Sequence, residues 1–212
     1  MSAYDSAHET TVLDLEVETY RRPESVIEPL LYHRWSPRAM SGEALSDDEV
    51  QRLFEAARWA PSSQNGQPWR FVYARRGTDD WPRFVSWLVE FNQMWAPSAG
   101  LLVVIASRTV FDNGKPCGTH SFDAGAAWQN LALQGRAMGL VVHAMGGFNA
   151  EAARVGIGLP EDFAVEAMVA VGRPAPVDVL PERMRKQEHP NARRPIAELV
   201  SEGRYREPSA DP

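Results

Sequence analysis

The sequence is poor in cysteine: Cys117 is the one thiol among its 212 residues. A single cysteine excludes an internal disulfide, and no cluster of Cys and His residues has the spacing of zinc ligands. We therefore expect a reducing, cytoplasmic setting and no metal site. Cys117 lies between Pro116 and Gly118. It is either an exposed reactive thiol or, the interpretation we favour, a loop cysteine without a role.

Long apolar runs are also missing. The longest, from Ala99 to Ala106, falls far short of the roughly 18 residues that a membrane-spanning helix needs. Residues 1–20 are acidic and lack both a basic start and an apolar core. We expect neither a signal peptide nor a transit peptide there, and no membrane partner.

Positive charge is scarce, with 22 Lys and Arg against 28 Asp and Glu and a net charge of -6. This balance argues against nucleic acid or an anionic membrane as the main partner, although it can conceal a local basic pocket. Two segments could form such a pocket: "HRWSPRAM", with Arg34, Ser36 and Arg38, and "NARRPIAELV", with Arg193 and Arg194. Each alone is typical of a solvated surface, whereas together they suit a phosphate. Side chains would hold it, because no glycine-rich phosphate loop is present.

The hydrophobic pattern predicts helices interleaved with strands in one α+β domain with a mixed sheet. We expect helices over 23–34, 82–96, 121–138 and 149–158, and strands over 69–76, 99–108 and 163–174. Residues 140–145 are a short strand or a buried loop. Ser46 and Glu49 form an S-x-x-E capping box, which predicts one more helix that begins there and ends at Pro61.

The predicted helix over 121–138 is apolar on nearly every side. Such a helix is usually buried in a core or against another subunit. Asp123 in its first turn is interpreted as a helix cap. His143, within the apolar run that follows, is interpreted as a core histidine with its hydrogen bonds satisfied. The polar tail after residue 174 is expected to wrap around the domain.

Two further segments are richer than a simple turn requires. "PSSQNGQPWRFV" follows a predicted helix with two serines and several amides and then enters a strand. "HAMGGFNAEAA" places adjacent glycines between an apolar segment and a helix, which permits either a tight turn or close approach of the backbone to a flat ligand.

Taken in order, "HRWSPRAM", "APSSQNGQPWRF", "NQMWAPS", "FDAGAAWQNLALQGRAMGL", "AMGGF", "VAVGRP" and "RRPIAELV" resemble the FMN-dependent nitroreductase family. The resemblance covers about residues 25–200. It implies a nitroreductase-like domain over 25–200, an N-terminal arm over 1–24 and a C-terminal tail over 201–212. The implied fold is a mainly antiparallel sheet flanked by helices in an intertwined homodimer, with two FMN molecules bound at the subunit boundary.

The resemblance also implies the cofactor-binding residues. Arg34, Ser36 and Arg38 would hold the phosphate and ribityl chain, with Trp35 alongside through its backbone and Arg193 or Arg194 completing the grip. Residues from the other subunit would cover the flavin: Pro61, Ser62, Ser63 and Asn65, with Gln67 starting the strand beneath. The ring would lie near Asn92 at its polar edge and near Ala144, Met145, Gly146 and Gly147 at its reactive nitrogen.

No catalytic triad, carboxylate pair or metal cluster is evident, which fits a cofactor that carries the chemistry itself. The resemblance implies ping-pong transfer of a hydride from NAD(P)H to nitroaromatics, quinones or similar electron-poor acceptors. Three alternatives stay open: another redox reaction on the same fold (dehalogenation, flavin fragmentation or dehydrogenation), a non-catalytic flavin-binding protein, and a dimeric interaction module without cofactor.

Four positions bear on the substrate. Many relatives carry a proline and an acidic residue where this chain has Ala144 and Gly146. Trp95 replaces a lysine that some relatives place near the entrance, which predicts a more apolar mouth. Phe111 is expected either to face the substrate or to pack within its loop.

Overall fold

The computed structural model describes residues 17–207, so most of the predicted arm and the last five residues of the predicted tail lie outside the described part. Four strands form one sheet: β1 (Trp69–Arg75), β2 (Leu101–Arg108), β3 (Val141–Met145) and β4 (Phe163–Gly172). Their order is β1-β2-β4-β3, and all three of the described pairings are antiparallel. The predicted α+β class and the three predicted strands are confirmed, and the segment over 140–145 proves to be mostly a strand.

The helices alternate with the strands along the chain. They are α1 (Pro29–His33), α2 (Asp47–Arg58), α3 (Trp81–Ser86), α4 (Glu90–Gln93), α5 (His120–Ala137), α6 (Ala150–Gly156), α7 (Glu182–Arg185) and α8 (Ile196–Leu199). The predicted capping box is confirmed: Glu49 N donates to Ser46 Oγ at 3.2 Å, and Ser46 N donates to Glu49 Oε2 at 2.8 Å. Helix α2 therefore begins where its sequence indicates.

The central strand β2 divides the core into two layers because successive side chains of a strand point to opposite faces. Leu101, Val103 and Ile105 pack with residues of α2 and α5. Leu102 and Val104 pack on the other face with a second group, which includes Phe84, Trp87, Trp95, Leu180 and Met184. Since Leu180 and Met184 follow β4, the first part of the polar tail does wrap onto the core, as predicted.

The predicted helix over 23–34 is wrong in its first half. Helical structure begins only at Pro29, and Val26 and Ile27 are exposed. Proline disfavours helical geometry in the residue before it, so Glu28 cannot extend the helix backwards. Proline itself suits the first helical position, where its missing N–H costs nothing.

The predicted helix over 82–96 is broken into α3 and α4. Between them, Leu88 forms an isolated antiparallel bridge with Phe148. Asn149 N donates to Trp87 O at 2.7 Å, and Val89 N donates to Gly147 O at 3.1 Å. These bonds use the backbone groups that a continuous helix would need, so the segment after β3 interrupts the helix.

The described chain divides into two compact units. One is formed by Arg34–Glu188 and contains the whole sheet. The other combines the described parts of Met1–His33 and His189–Pro212. In that unit Arg21 donates to Asn191 O at 2.9 Å and to Tyr32 O at 2.8 Å, so one guanidinium ties both chain ends together. The division into 1–24, 25–200 and 201–212 stays a prediction.

Helix length and hydropathy also bear on membranes. Within residues 17–207, none of the helices combines the length and the apolar character that crossing a bilayer requires.

Candidate functional site

The segment Arg34–Arg38 is irregular backbone that precedes the buried pair Ala39 and Met40. Arg34 Nη1 donates to Ser36 Oγ at 3.2 Å, and the Arg34 guanidinium lies 5.9 Å from the Trp128 ring centroid on α5. The indole Nε1 of Trp128 is buried and finds no hydrogen-bond partner within residues 17–207. Trp35 is half-buried beside them. Cationic, hydroxyl and indole donors therefore gather around the predicted phosphate-binding segment.

Arg38 is held by a buried carboxylate that the sequence analysis missed. Arg38 Nη1 lies 3.3 Å from Glu188 Oε2, and the Glu188 side chain is only 4% exposed. Glu188 Oε1 also accepts from the backbone N–H groups of Arg38 and Ala39. Arg38 Nε is buried and has no hydrogen-bond partner among the described residues. One carboxylate thus fixes this loop while one guanidinium donor stays unused.

Asn92 connects α4 to the end of β3. Its Nδ2 donates to Gly147 O at 2.9 Å, and its Oδ1 accepts from Trp95 Nε1 at 3.2 Å. Asn92 is 8% exposed. Both polar atoms of the amide therefore have partners within the chain, and one N–H of Nδ2 remains for any further contact.

The expectation that Trp95 makes an apolar mouth is wrong. Trp95 is 1% exposed and belongs to the core layer around Leu102 and Val104. Its indole has an internal role, since it orients Asn92. Position along the sequence indicated nearness to the site, but it could not distinguish a lining residue from a supporting one.

His143 joins the arginine segment to β3. Its Nδ1 lies 2.9 Å from the carbonyl oxygen of Pro37, so Nδ1 carries the proton and donates. Its ring centroid is 4.6 Å from that of Trp95. Burial lowers the pKa of His143, and the nearby charge of Arg38 lowers it further, against opposing hydrogen bonds to backbone and the charge of Glu188. The burial of His143 and the hydrogen bond of its Nδ1 agree with the prediction of a core histidine.

These contacts bring three predicted segments together. His143 binds Pro37, and Arg38 lies 5.8 Å from the ring of Phe91, which precedes Asn92. Asn92 in turn binds Gly147. The structure therefore places Arg34–Arg38, Asn92 and the stretch from Ala144 to Gly147 in one neighbourhood of the Arg34–Glu188 unit. Met145 points into the core there and is 3% exposed.

The loop from Pro61 to Gln67 has an unusual backbone. Gln64, Asn65 and Gln67 have φ values of 52°, 54° and 43°, and they are the positive-φ residues other than glycine in the described chain. Left-handed backbone of this kind costs on the order of 1–3 kcal/mol per residue, so the surroundings must hold it. Gln67 N donates to Ser62 Oγ at 3.0 Å, which closes the loop on itself.

Asp123 holds this loop from outside. Its Oδ2 accepts from Ser63 N at 3.1 Å and from Thr119 Oγ1 at 3.2 Å, and the residue is 3% exposed. The prediction that Asp123 caps α5 is wrong, because its carboxylate binds the loop rather than the free N–H groups of the helix. A carboxylate in the first turn of a helix matches the capping pattern, and only the tertiary structure reveals the other partner.

We expect Asp123→Ala to destabilise the protein by about 1–3 kcal/mol, because the partly buried Ser63 N–H loses its charged acceptor. Amide hydrogen exchange at Gln64 to Gln67 should accelerate more than exchange in the sheet. Asp123→Asn is the matched control, because its amide oxygen can still accept from Ser63. Equal protection of the loop in Asp123→Ala and the parent protein would contradict this role.

A polar cleft of about 530 Å³ opens beside the loop. One wall is formed by Gln64 to Pro68, and the other by the loop that carries Phe111 and Asn113. A Cβ atom at Gly66 would lie 3.3 Å from Phe111 Cε1, so Phe111 both lines the cleft and packs on the first loop. The arginines at this cleft, Arg70 and Arg108, were not identified from the sequence.

Two predicted features remain, the single cysteine and the second pair of arginines. Cys117 is 2% exposed, which excludes an exposed reactive thiol. Arg193 and Arg194 are exposed and belong to the unit of the chain ends. Arg193 Nη1 donates to the carbonyl oxygens of Asn191 and Ala192 at 3.2 and 3.1 Å. The role of either arginine in binding phosphate stays a prediction.

Known proteins resemble this chain over most of its length. The model of the nitroreductase family matches residues 31–93. A "Putative NADH dehydrogenase/NAD(P)H nitroreductase" of Archaeoglobus fulgidus is 30% identical over 149 residues, which cover 68% of this chain and 83% of that protein. A solved structure described as an oxidoreductase containing FMN superposes with a TM-score of 0.86 at 42% identity, covering 89% of this chain and 97% of that one. A "putative nitroreductase in complex with fmn" from Desulfovibrio desulfuricans gives a TM-score of 0.67 at 26% identity, covering 85% and 100%.

Proposed function

Because this chain belongs to the nitroreductase family, we propose that it is an FMN-dependent oxidoreductase that uses NAD(P)H to reduce nitroaromatics, quinones or similar electron-poor acceptors in a ping-pong cycle. The observation that carries the proposal is the meeting of Arg34–Arg38, Asn92 and Gly147 in one unit. The FMN named for two of the similar solved structures supports the cofactor.

The donors around Arg34–Arg38 fit a phosphate and a ribityl chain. Arg34 and Arg38 offer charged donors, Ser36 offers a hydroxyl, and Trp35 lies between them in the chain. Arg38 Nε and Trp128 Nε1 are the buried side-chain donors without partners in the described chain. Buried donors without acceptors are rare in folded proteins, so a bound group that supplies acceptor oxygens would explain both.

The opposite end of the neighbourhood would hold the isoalloxazine ring. The remaining N–H of Asn92 would face the polar edge of the ring, and the backbone from Ala144 to Gly147 would approach its reactive nitrogen. A Cβ atom at Gly146 would meet no heavy atom within 4 Å, so this backbone has open space above it. When bound, FMN supplies the chemistry by taking up a hydride from the nicotinamide and returning electrons to the acceptor.

We propose that two chains form the active unit, with the loop from Pro61 to Gln67 of one chain covering the flavin of the other. Helix α5 supports this assembly. Its sequence is apolar on nearly every side, yet Phe122 is 80% exposed, and Trp59, just after α2, is 72% exposed. A second copy of the chain would remove these large apolar surfaces from water.

The function is tested by the visible spectrum of the purified protein and by one anaerobic NAD(P)H titration. We expect a flavin spectrum that NAD(P)H bleaches and that a nitroaromatic or quinone restores, with repeated turnover when both substrates are in excess. A single reduction without turnover would indicate a flavin-binding protein instead. Protein that stays colourless after incubation with FMN would overturn the proposal.

A further inference from the structure

Arg70 is a guanidinium that the protein holds in place without neutralising it. Its Nη1 donates to Gln67 O at 3.1 Å and to Trp69 O at 2.7 Å. Its guanidinium carbon lies 5.8 Å from the ring centroid of Phe163. Within residues 17–207, Arg70 forms no ion pair and its Nε and Nη2 donate no hydrogen bond to the protein. Two donors of a positioned fork therefore remain for an external acceptor.

The charge of Arg108, the other arginine of the cleft, is already compensated by two carboxylates. Arg108 Nε lies 2.8 Å from Asp162 Oδ2, and Arg108 Nη1 lies 2.7 Å from Asp112 Oδ1. Asp112 is the one acidic residue among those that line the cleft, and Arg108 engages it. The uncompensated charge of the cleft walls is therefore the positive charge of Arg70.

The remaining walls suit a small aromatic molecule. Phe111, Val110 and Pro68 supply apolar surface, and the amides of Gln64 and Asn113 supply neutral polar contacts. A volume of about 530 Å³ falls in the range of small-molecule sites and exceeds the needs of a single benzene ring. Among the residues that the structure describes, the cleft therefore combines some apolar surface, amide groups and one arginine without an ion-pair partner.

We propose that this cleft is a subsite for the electron acceptor and that it favours aromatic acceptors carrying a carboxylate, with Arg70 binding the carboxylate oxygens. The inference rests on the proposed function, because the loop from Pro61 to Gln67 is expected to cover the flavin. Arg70 is fixed to this loop by the hydrogen bond from its Nη1 to Gln67 O, so on the proposed arrangement an acceptor that passes the loop to reach the flavin would meet Arg70. An arginine can donate two parallel hydrogen bonds to the two oxygens of a carboxylate. A neutral molecule of the same shape accepts such bonds less strongly.

The kinetic test compares 4-nitrobenzoate with 4-nitrobenzyl alcohol, a neutral molecule of similar size. We expect Arg70→Gln to lower the ratio of kcat/KM for the carboxylate over that for the alcohol by roughly tenfold or more, as expected for a lost charge-assisted hydrogen bond. Arg70→Lys should fall in between, since it keeps the charge and loses the fork. High salt should shrink the preference of the parent protein for the carboxylate.

Arg76→Gln is the matched control. Arg76 is also exposed near the end of β1, but its guanidinium donates to Gly42 O at 2.7 Å and lies outside the cleft. We expect it to leave the substrate ratio unchanged. An equal fall in Arg76→Gln, an unchanged ratio in Arg70→Gln, or a rise in the KM for NAD(P)H alone would overturn the subsite.

A binding measurement separates this inference from the proposed function. Benzoate, which has no group to reduce, should shift the side-chain Nε resonance of Arg70 in the parent protein in a saturable way. The shift should occur even if no nitroaromatic is turned over, so loss of the enzyme assay would count against the reaction and not the subsite. Absence of any saturable shift would count against the subsite even in an active enzyme.

Discussion

Replacing Arg38 by alanine is expected to weaken FMN binding by about 1.5–3 kcal/mol, the range for hydrogen bonds to a charged group. That loss corresponds to roughly 10- to 150-fold in Kd. The reason is that Arg38 keeps one buried donor without a protein partner while its charge lies at the segment expected to hold the phosphate. Titration of the apoprotein with FMN, followed by quenching of flavin fluorescence, measures the change. Arg34→Ala should cost a similar amount.

Arg38 also forms an ion pair with the buried carboxylate of Glu188, so Arg38→Ala has a second effect on the fold. Removing one member of a buried pair leaves the other charge poorly compensated and destabilises the protein. The double variant Arg38→Ala with Glu188→Gln removes that charge. We expect it to recover stability in urea unfolding but not FMN affinity. Glu188→Gln alone should keep or strengthen FMN binding, because a negative charge is removed beside an anionic ligand.

Arg38→Lys sharpens the assignment further, because lysine keeps the charge but lacks the planar fork of donors. A partial loss of FMN affinity is expected in this variant. If FMN affinity is unchanged in both Arg34→Ala and Arg38→Ala, the phosphate lies elsewhere and the binding role of this segment is wrong.

Most of the fold could be predicted from local patterns. The capping box of Ser46 and Glu49 and the apolar run of β2 are each visible in a few neighbouring residues, and the structure agrees with both. The failures have tertiary causes. The helix over 82–96 has a helical period throughout, but the backbone from Gly147 to Asn149 takes its hydrogen bonds. No pattern within 82–96 reports that partner.

The candidate site also has parts that could be predicted from the sequence and parts that could not. Residue types and order indicated which segments belong to it, and the contacts of Pro37, Asn92 and Gly147 bring three of those segments together. The residues that hold these segments in place could not be predicted from the sequence. Glu188 and Asp123 are carboxylates whose partners lie 150 and 60 residues away along the chain. Trp95 was expected at the mouth of the site, but it lies in the core and donates to Asn92 from there.

The second large effect is expected from a substitution at Gly147, which should lower both the stability of the apoprotein and its affinity for FMN. A Cβ atom there would lie 2.8 Å from Asn92 Nδ2 and 3.0 Å from Val89 Cγ2. Asn92 Nδ2 also donates to Gly147 O, so it cannot move away from a new side chain without losing that hydrogen bond. We expect Gly147→Val to destabilise the apoprotein by about 1–3 kcal/mol through overpacking. Loss of the Asn92 geometry should also weaken FMN binding. Urea unfolding of the apoprotein and an FMN titration measure the two effects.

Gly146→Val is the matched control, because a Cβ atom one residue earlier meets no heavy atom within 4 Å. Its apoprotein should unfold at nearly the parental urea concentration. If the flavin ring covers this backbone as proposed, however, the new side chain would occupy the ring's place and FMN affinity should fall. The two variants therefore separate packing within the chain from contact with the cofactor. Parental FMN affinity in Gly146→Val would show that the ring does not lie over this backbone, even if Gly147→Val behaves as expected.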